Sequence, residues 1–173
     1  MAESAGDSGT TSARGRSLVV GLVLLGLAAA ATGIAYQRWQ TRRCLDFYGP
    51  AAARLVASAP RVELLTVAPS GASGRLVATS VRDVSAAKGL VHLRRGLVED
   101  ANFAWAQGGD GQRLPDAAWD HAFVFSDPEV PTARVTLVID LDERSGSLAV
   151  MGKPGRVGLG RIGRGLAKWI AGL

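Results

Sequence analysis

Apolar and polar positions divide the chain into one long uncharged run and a series of short periodic segments. From Ser17 to Gln37 the 21 residues SLVVGLVLLGLAAAATGIAYQ carry no charge and show no polar face. A spanning helix needs about 20 apolar residues at a rise of about 1.5 Å each, so the run predicts a transmembrane helix over 17–37. A cleaved signal peptide has a shorter apolar region, about 7–15 residues, before a small-x-small site. Gly33 and Ala35 offer such a site, but the run is longer and Arg38, Arg42 and Arg43 follow at once. A buried core helix would carry a polar face, which is missing here. Tyr36 and Trp39 stand where interfacial aromatics belong. The small, polar residues 1–16 read as a disordered tail, and 38–49 as a juxtamembrane segment.

The remaining residues, 50–173, read as one domain. Pro50 suits the first position of a short helix that Pro60 closes. RVELLTV at 61–67 and RLVATSVRDV at 75–84 flank the turn cluster PSGASG and predict a hairpin. In the segment 87–100, Leu90, Leu93 and Leu97 form one helical stripe and Lys88, His92, Arg95 and Glu99 the opposite one. Residues 102–116 read as a loop, with Gly108, Gly109 and Gly111 at its tip. Three further strands follow. AWDHAFVF at 118–125 places Trp119, His121, Phe123 and Phe125 on one face by the period of two. ARVTLVIDL at 133–141 puts Ala133, Val135, Leu137, Ile139 and Leu141 inward and Arg134, Thr136 and Asp140 outward. SLAVM at 147–151 is the third. Hairpin-length joints between these strands predict an α+β domain, with an antiparallel sheet of about five strands and two to three helices packed on one face.

Composition adds less. A chain of 173 residues has room for one domain and an anchor. Its single cysteine, Cys44, excludes an intramolecular disulfide and a cysteine-based metal site; it reads as a juxtamembrane thiol open to a labelling reagent. Arg14 and Arg16 nearly balance Arg38, Arg42 and Arg43 across the anchor. The layout is that of an uncleaved signal anchor, which favours the exported side for the domain.

Four patterns invite a chemical reading. Gly158, Gly160 and Gly163 in VGLGRIGRG have the G-x-G-x-x-G spacing of a dinucleotide site. That site needs a βαβ unit and an acidic residue about 20 positions on, yet only ten residues follow Gly163 and none is acidic. No cofactor is expected. GSLAVMGKP lacks the spacing and the Ser or Thr of a phosphate loop. Asp140, Asp142 and Glu143 do not match a calcium loop, because Arg144 takes a ligand position, and they read as a solvated hairpin end. His121 follows Asp120, but neighbours in a strand point to opposite faces, so the two are not an acid–base pair.

Charge is distributed more tellingly. Residues 1–37 hold two bases and two acids, residues 38–152 thirteen of each, and residues 153–173 five bases and no acid, so the whole net +5 lies at the C-terminus. Within 157–173, Ile162, Leu166, Trp169, Ile170 and Leu173 form an apolar stripe, with Arg161, Arg164 and Lys168 opposite. The stripe either completes the core or lies on a surface, where Arg156, Arg161, Arg164, Lys168 and Trp169 would contact anionic lipid or an acidic protein. No nucleic acid is expected, since no basic patch elsewhere extends the segment. The resulting expectation is a single-pass membrane protein whose domain binds or assembles without catalysis. The alternative is a membrane-anchored, hydrolase-like enzyme using His121 with a carboxylate from a neighbouring strand.

Overall fold

A computed structural model of the chain describes residues 10–70, 75–105, 118–142 and 146–173. Residues 1–9 of the expected tail, the glycine-rich loop tip at 108–111 and Glu143 lie outside the described residues. The elements run α1 (Thr10–Tyr48), α2 (Pro50–Ser58), β1 (Arg61–Ser70), β2 (Arg75–Asp83), α3 (Leu90–Val98), a 3₁₀ turn (Asp100–Asn102), β3 (His121–Asp127), β4 (Val130–Asp140), β5 (Ser147–Val150), β6 (Arg156–Gly158) and α4 (Ile162–Ala171). The chain forms two compact units that divide between Trp39 and Gln40.

The first unit is the apolar part of α1. Among the described residues α1 alone is long and apolar enough to cross a membrane. Its side chains from Val19 to Ile34 find no cover, with Val19, Leu22, Leu25 and Ile34 exposed by 62%, 72%, 69% and 56%. The helix begins at Thr10, so the last residues of the expected tail are already helical.

The second unit is the α+β domain. Its six strands form one antiparallel sheet in the order β2-β1-β3-β4-β5-β6. Period-two alternation sends Val62 and Leu64 of β1, Phe123 and Phe125 of β3, Val135, Leu137 and Ile139 of β4, and Leu148 and Val150 of β5 into one core. The helices supply the other half: Ala53 and Val56 from α2, Leu90, Leu93 and Leu97 from α3, and Leu166 from α4. The predicted stripe on α3 is therefore the buried one, while His92 stays exposed.

The core reaches further upstream than the sequence pattern implies. Cys44 and Tyr48, on one side of the last turns of α1, are 1% and 0% exposed. The Asp100 carboxylate accepts hydrogen bonds from the main-chain N–H groups of Arg43 (2.9 Å) and Cys44 (2.8 Å). The carboxylate fastens the last turns of α1 to the 3₁₀ turn that follows α3. Residues 40–48 are thus an element of the domain, and Cys44 is a packed side chain, not an accessible thiol; buried thiols of this kind are inert.

Two bulges reset the faces of the sheet. At the start of β3, His121 is the partner of Ile139, and the N–H of Asp120 also donates to the Ile139 carbonyl, at 2.9 Å. Two residues opposite one shift the alternation. Trp119 consequently packs on the far face, with Val67, Ala122, Val138 and Ala149, and not beside Phe123 as expected. That far face is not purely polar either. Asp140, expected in solvent, is 4% exposed, and its Oδ1 accepts the N–H of Asp142 at 3.0 Å. The second bulge lies in β2, where Thr79 is the extra residue between Ala78 and Ser80, the partners of Val67 and Thr66. β2 is an edge strand, and a mid-strand bulge with the flanking charges of Arg75, Arg82 and Asp83 discourages edge-to-edge pairing.

Tyr48 carries a testable cost. Its hydroxyl is buried without a hydrogen-bond partner, and an unmade buried hydrogen bond costs about 1–3 kcal/mol. Tyr48→Phe in the full-length chain in detergent micelles should therefore leave the denaturation midpoint unchanged or raise it. Leu137→Ala, at a side chain with no exposure, should destabilise the domain by about 2–5 kcal/mol. A large loss in Tyr48→Phe would mean that the hydroxyl has a partner.

Candidate functional site

The C-terminal segment is the first candidate. β6 enters it, and the glycines explain themselves there. A side chain at Gly160 would meet Ala104 N, Asn102 O and Phe103 C at 3.0 Å, and one at Gly158 would meet the Ala104 Cβ at 3.1 Å. The Ala104 N–H donates to the Gly158 carbonyl at 2.9 Å. G-x-G serves here the close approach of two backbones, which a side chain at either glycine would obstruct. A side chain at Gly163, the third, would meet the Leu159 Cβ at 3.3 Å.

α4 then lays its apolar stripe on the core. Leu166 is buried, and Ile162, Trp169, Ile170 and Leu173 pack against the same cluster. Trp169 stacks obliquely on Phe123, with ring centroids 6.1 Å apart, and its indole N–H donates to the Lys88 carbonyl at 2.9 Å. Gly89, at φ +87°, makes space for that indole, since a side chain there would sit 3.1 Å from Nε1. Trp169 is thus part of the fold. Arg161, Arg164 and Lys168 remain exposed, with no carboxylate within 4.0 Å among the described residues. Lys88, exposed and brought beside α4 by the indole bond, adds a cation that sequence spacing does not associate with them. Arg156 stands apart. It pairs with Ala149 of the far-face cluster, whereas its neighbour Val157 belongs to the helix-covered core, so Arg156 points to the opposite side of the sheet.

His121 has no carboxylate on its Nδ1 among the described residues. Its Nδ1 is buried without a hydrogen-bond partner, and the nearest sequence carboxylate, Asp120, accepts the Leu141 N–H at 3.0 Å instead. No group of three or more His, Cys, Asp or Glu among the described residues could hold a metal ion.

The second candidate has no sequence motif. A groove of about 840 Å³ runs between α2 and the β4–β5 edge. Ligand pockets commonly enclose about 300–1,000 Å³. Its apolar wall includes Leu55, Ala59, Val135 and Met151, and Ser58, Thr132 and Thr136 add hydroxyls. Arg54, Arg134 and Lys153 line it against a single acid, Asp127. The Lys153 ammonium donates to the Tyr48 carbonyl at the end of α1, where a cation also meets the negative pole of the helix. Arg54 and Arg134 are exposed and have no ion-pair partner among the described residues, whereas Arg61 and Arg95 elsewhere are paired with Glu63 and Glu99. These residues are scattered over three elements, and only the register joins them.

Comparison with known protein families, characterised proteins and solved structures gave no match.

The two roles within α4 separate by mutation. Trp169→Ala should destabilise the full-length chain by about 2–4 kcal/mol, somewhat below the cost at a fully buried tryptophan. Replacing Arg161, Arg164 and Lys168 together by Gln should shift stability by no more than about 0.5 kcal/mol per site. A destabilised triple variant would show that the cations hold the fold. Cys44 should react with a maleimide only after denaturation; labelling of the native protein would contradict its burial.

Proposed function

We propose that the protein is anchored in a membrane by a single pass of α1, with its α+β domain on the exported side, and that the domain binds or assembles with partners without doing chemistry. The observation that carries the anchor is the exposure of the apolar side chains of α1, 56–72% across Val19, Leu22, Leu25 and Ile34. Water does not leave so much apolar area uncovered on one continuous helix, while a bilayer of about 30 Å hydrocarbon thickness would cover it. The binding role is supported by cations without ion-pair partners among the described residues, on the α4 face (Arg161, Arg164, Lys168) and in the groove (Arg54, Arg134). Both suit acidic groups; the α4 face would meet anionic lipid or an acidic protein. The lack of a hydrogen-bond partner for His121 Nδ1 among the described residues weighs against the enzyme alternative.

Alkaline carbonate should leave the full-length protein in the membrane pellet, and detergent should release it. Release by carbonate alone would refute the anchor. Because Cys44 is buried, topology needs a thiol placed elsewhere, and Arg75→Cys on the exposed edge strand serves. A reagent that cannot cross membranes should label this variant in intact cells. Labelling only after lysis would place the domain on the other side. In pull-downs from solubilised membranes, the Gln triple variant of α4 should lose partners that depend on that face, at all but the highest salt.

A further inference from the structure

The groove beside α2 has an unusual second wall, because it is made by a strand that loses its neighbour. β5 pairs with β4 from Leu137 to Asp140, and the Met151 N–H still donates to the Thr136 carbonyl at 2.9 Å. The chain then turns away through Gly152 and Gly155, at φ +81° and +94°. Upstream of Thr136, β4 keeps β3 on one side, through Phe125↔Val135 and Ser126↔Arg134. On the other side, the described residues supply no strand to it.

The alternation of an antiparallel ladder decides which groups are left over. The Thr136 carbonyl faces β5, so the main-chain N–H and C=O of Arg134, two residues earlier, face the same way, into the groove. A donor and an acceptor side by side on an exposed strand match the main chain of another extended segment. A lipid tail offers neither. The charge balance then selects the segment: Arg54, Arg134 and Lys153 face one Asp127, and Arg54 and Arg134 have no ion-pair partner among the described residues.

We propose that this groove takes an extended, acidic segment of a partner polypeptide, which docks against the main chain of Arg134 along the line that β5 abandons, with carboxylates on Arg54 and Lys153 on the α2 side of the sheet and on Arg134 on the other side. Leu55 on the α2 side and Met151 on the side of Arg134 receive the side chains between those carboxylates. The proposal rests on the reading of the domain as a binding module and supplies the chemistry of the partner.

The test uses the full-length chain in detergent micelles and a fluorescein-labelled eight-residue peptide, Glu-Glu-Thr-Thr repeated, which presents carboxylates on both faces of a strand, read by anisotropy. Saturable binding that weakens with salt is expected, and the same peptide with Lys in place of Glu should not bind. Arg54→Glu with Arg134→Glu should weaken binding at least tenfold. Both sites are exposed, so the thermal midpoint should hold, and an unchanged midpoint separates lost binding from lost folding. Methylating alternate main-chain nitrogens of the peptide should also weaken binding at least tenfold, and the Arg134 amide should exchange more slowly in the complex. The Gln triple variant of α4 should bind the peptide normally.

Absence of saturable binding overturns the proposal. So does equal binding of the methylated peptide, or loss of binding in the α4 variant instead. If the double Glu substitution dissociates a dimer of the chain, or releases a co-purified lipid, the occupant is a second copy or a lipid and the acidic segment is wrong. Membrane fractionation is unaffected by any of these outcomes, so the anchor and the groove succeed or fail separately.

Discussion

Everything in the domain depends on covering one face of a six-stranded sheet. Phe123, Phe125, Leu137, Ile139 and Leu148 all lie on that face with no exposure. Each such side chain contributes about 1.5–3 kcal/mol when it leaves water, but only if the opposite layer is continuous. Four separate helical pieces make that layer, and each is tied to the next by a polar contact. Asp100 holds the N–H groups of Arg43 and Cys44. Arg94 of α3 donates to the Ala59 carbonyl behind α2 at 2.6 Å, and Trp169 of α4 donates to the Lys88 carbonyl ahead of α3. The apolar area drives the assembly, and these bonds set where each helix lies.

The same constraint explains which parts of the fold were legible in the sequence. Alternation along β4 and the Leu90, Leu93, Leu97 stripe are direct prints of burial on one side, and both appear where the periods place them. β6 was not legible, since three residues, Arg156–Gly158, carry no period; the sheet therefore has six strands where about five were expected. Trp119 was misplaced because a bulge at Asp120 and His121 leaves no trace in a hydrophobic pattern. Asp140 was misplaced for a related reason: aspartate by itself predicts solvent, and a hydrogen bond such as the one from Asp142 offsets its burial.

The candidate sites divide in the same way. Arg161, Arg164 and Lys168 could be grouped from helical spacing alone, since i, i+3 and i+7 share a face. Arg156 could not be excluded from them without knowing that a strand precedes the helix and turns alternate residues to opposite sides. Lys88 joined them through an indole bond across 81 residues. The groove left no sequence signal, because its cations come from α2, β4 and the turn after β5 and meet only through the register of the sheet.

Where the free cations fall is informative about the division of labour in the domain. Arginines that face the sheet's own acids are paired, as Arg61 is with Glu63 and Asp83. Arg54, Arg134, Arg161, Arg164 and Lys168 have no such acid among the described residues. Exposed ion pairs add little stability, about 0–1 kcal/mol, so leaving these groups unpaired costs the fold almost nothing. It does keep positive potential on two surfaces, the outer side of α4 and the channel beside β4. A charge that contributes nothing to stability is free to be used in recognition, where it sets the rate of encounter and the sign of the partner. In the groove that potential coincides with an unpaired main-chain edge, and on α4 it does not. The two surfaces therefore suit different modes of contact: strand addition to the main chain at one, and electrostatic attraction alone at the other.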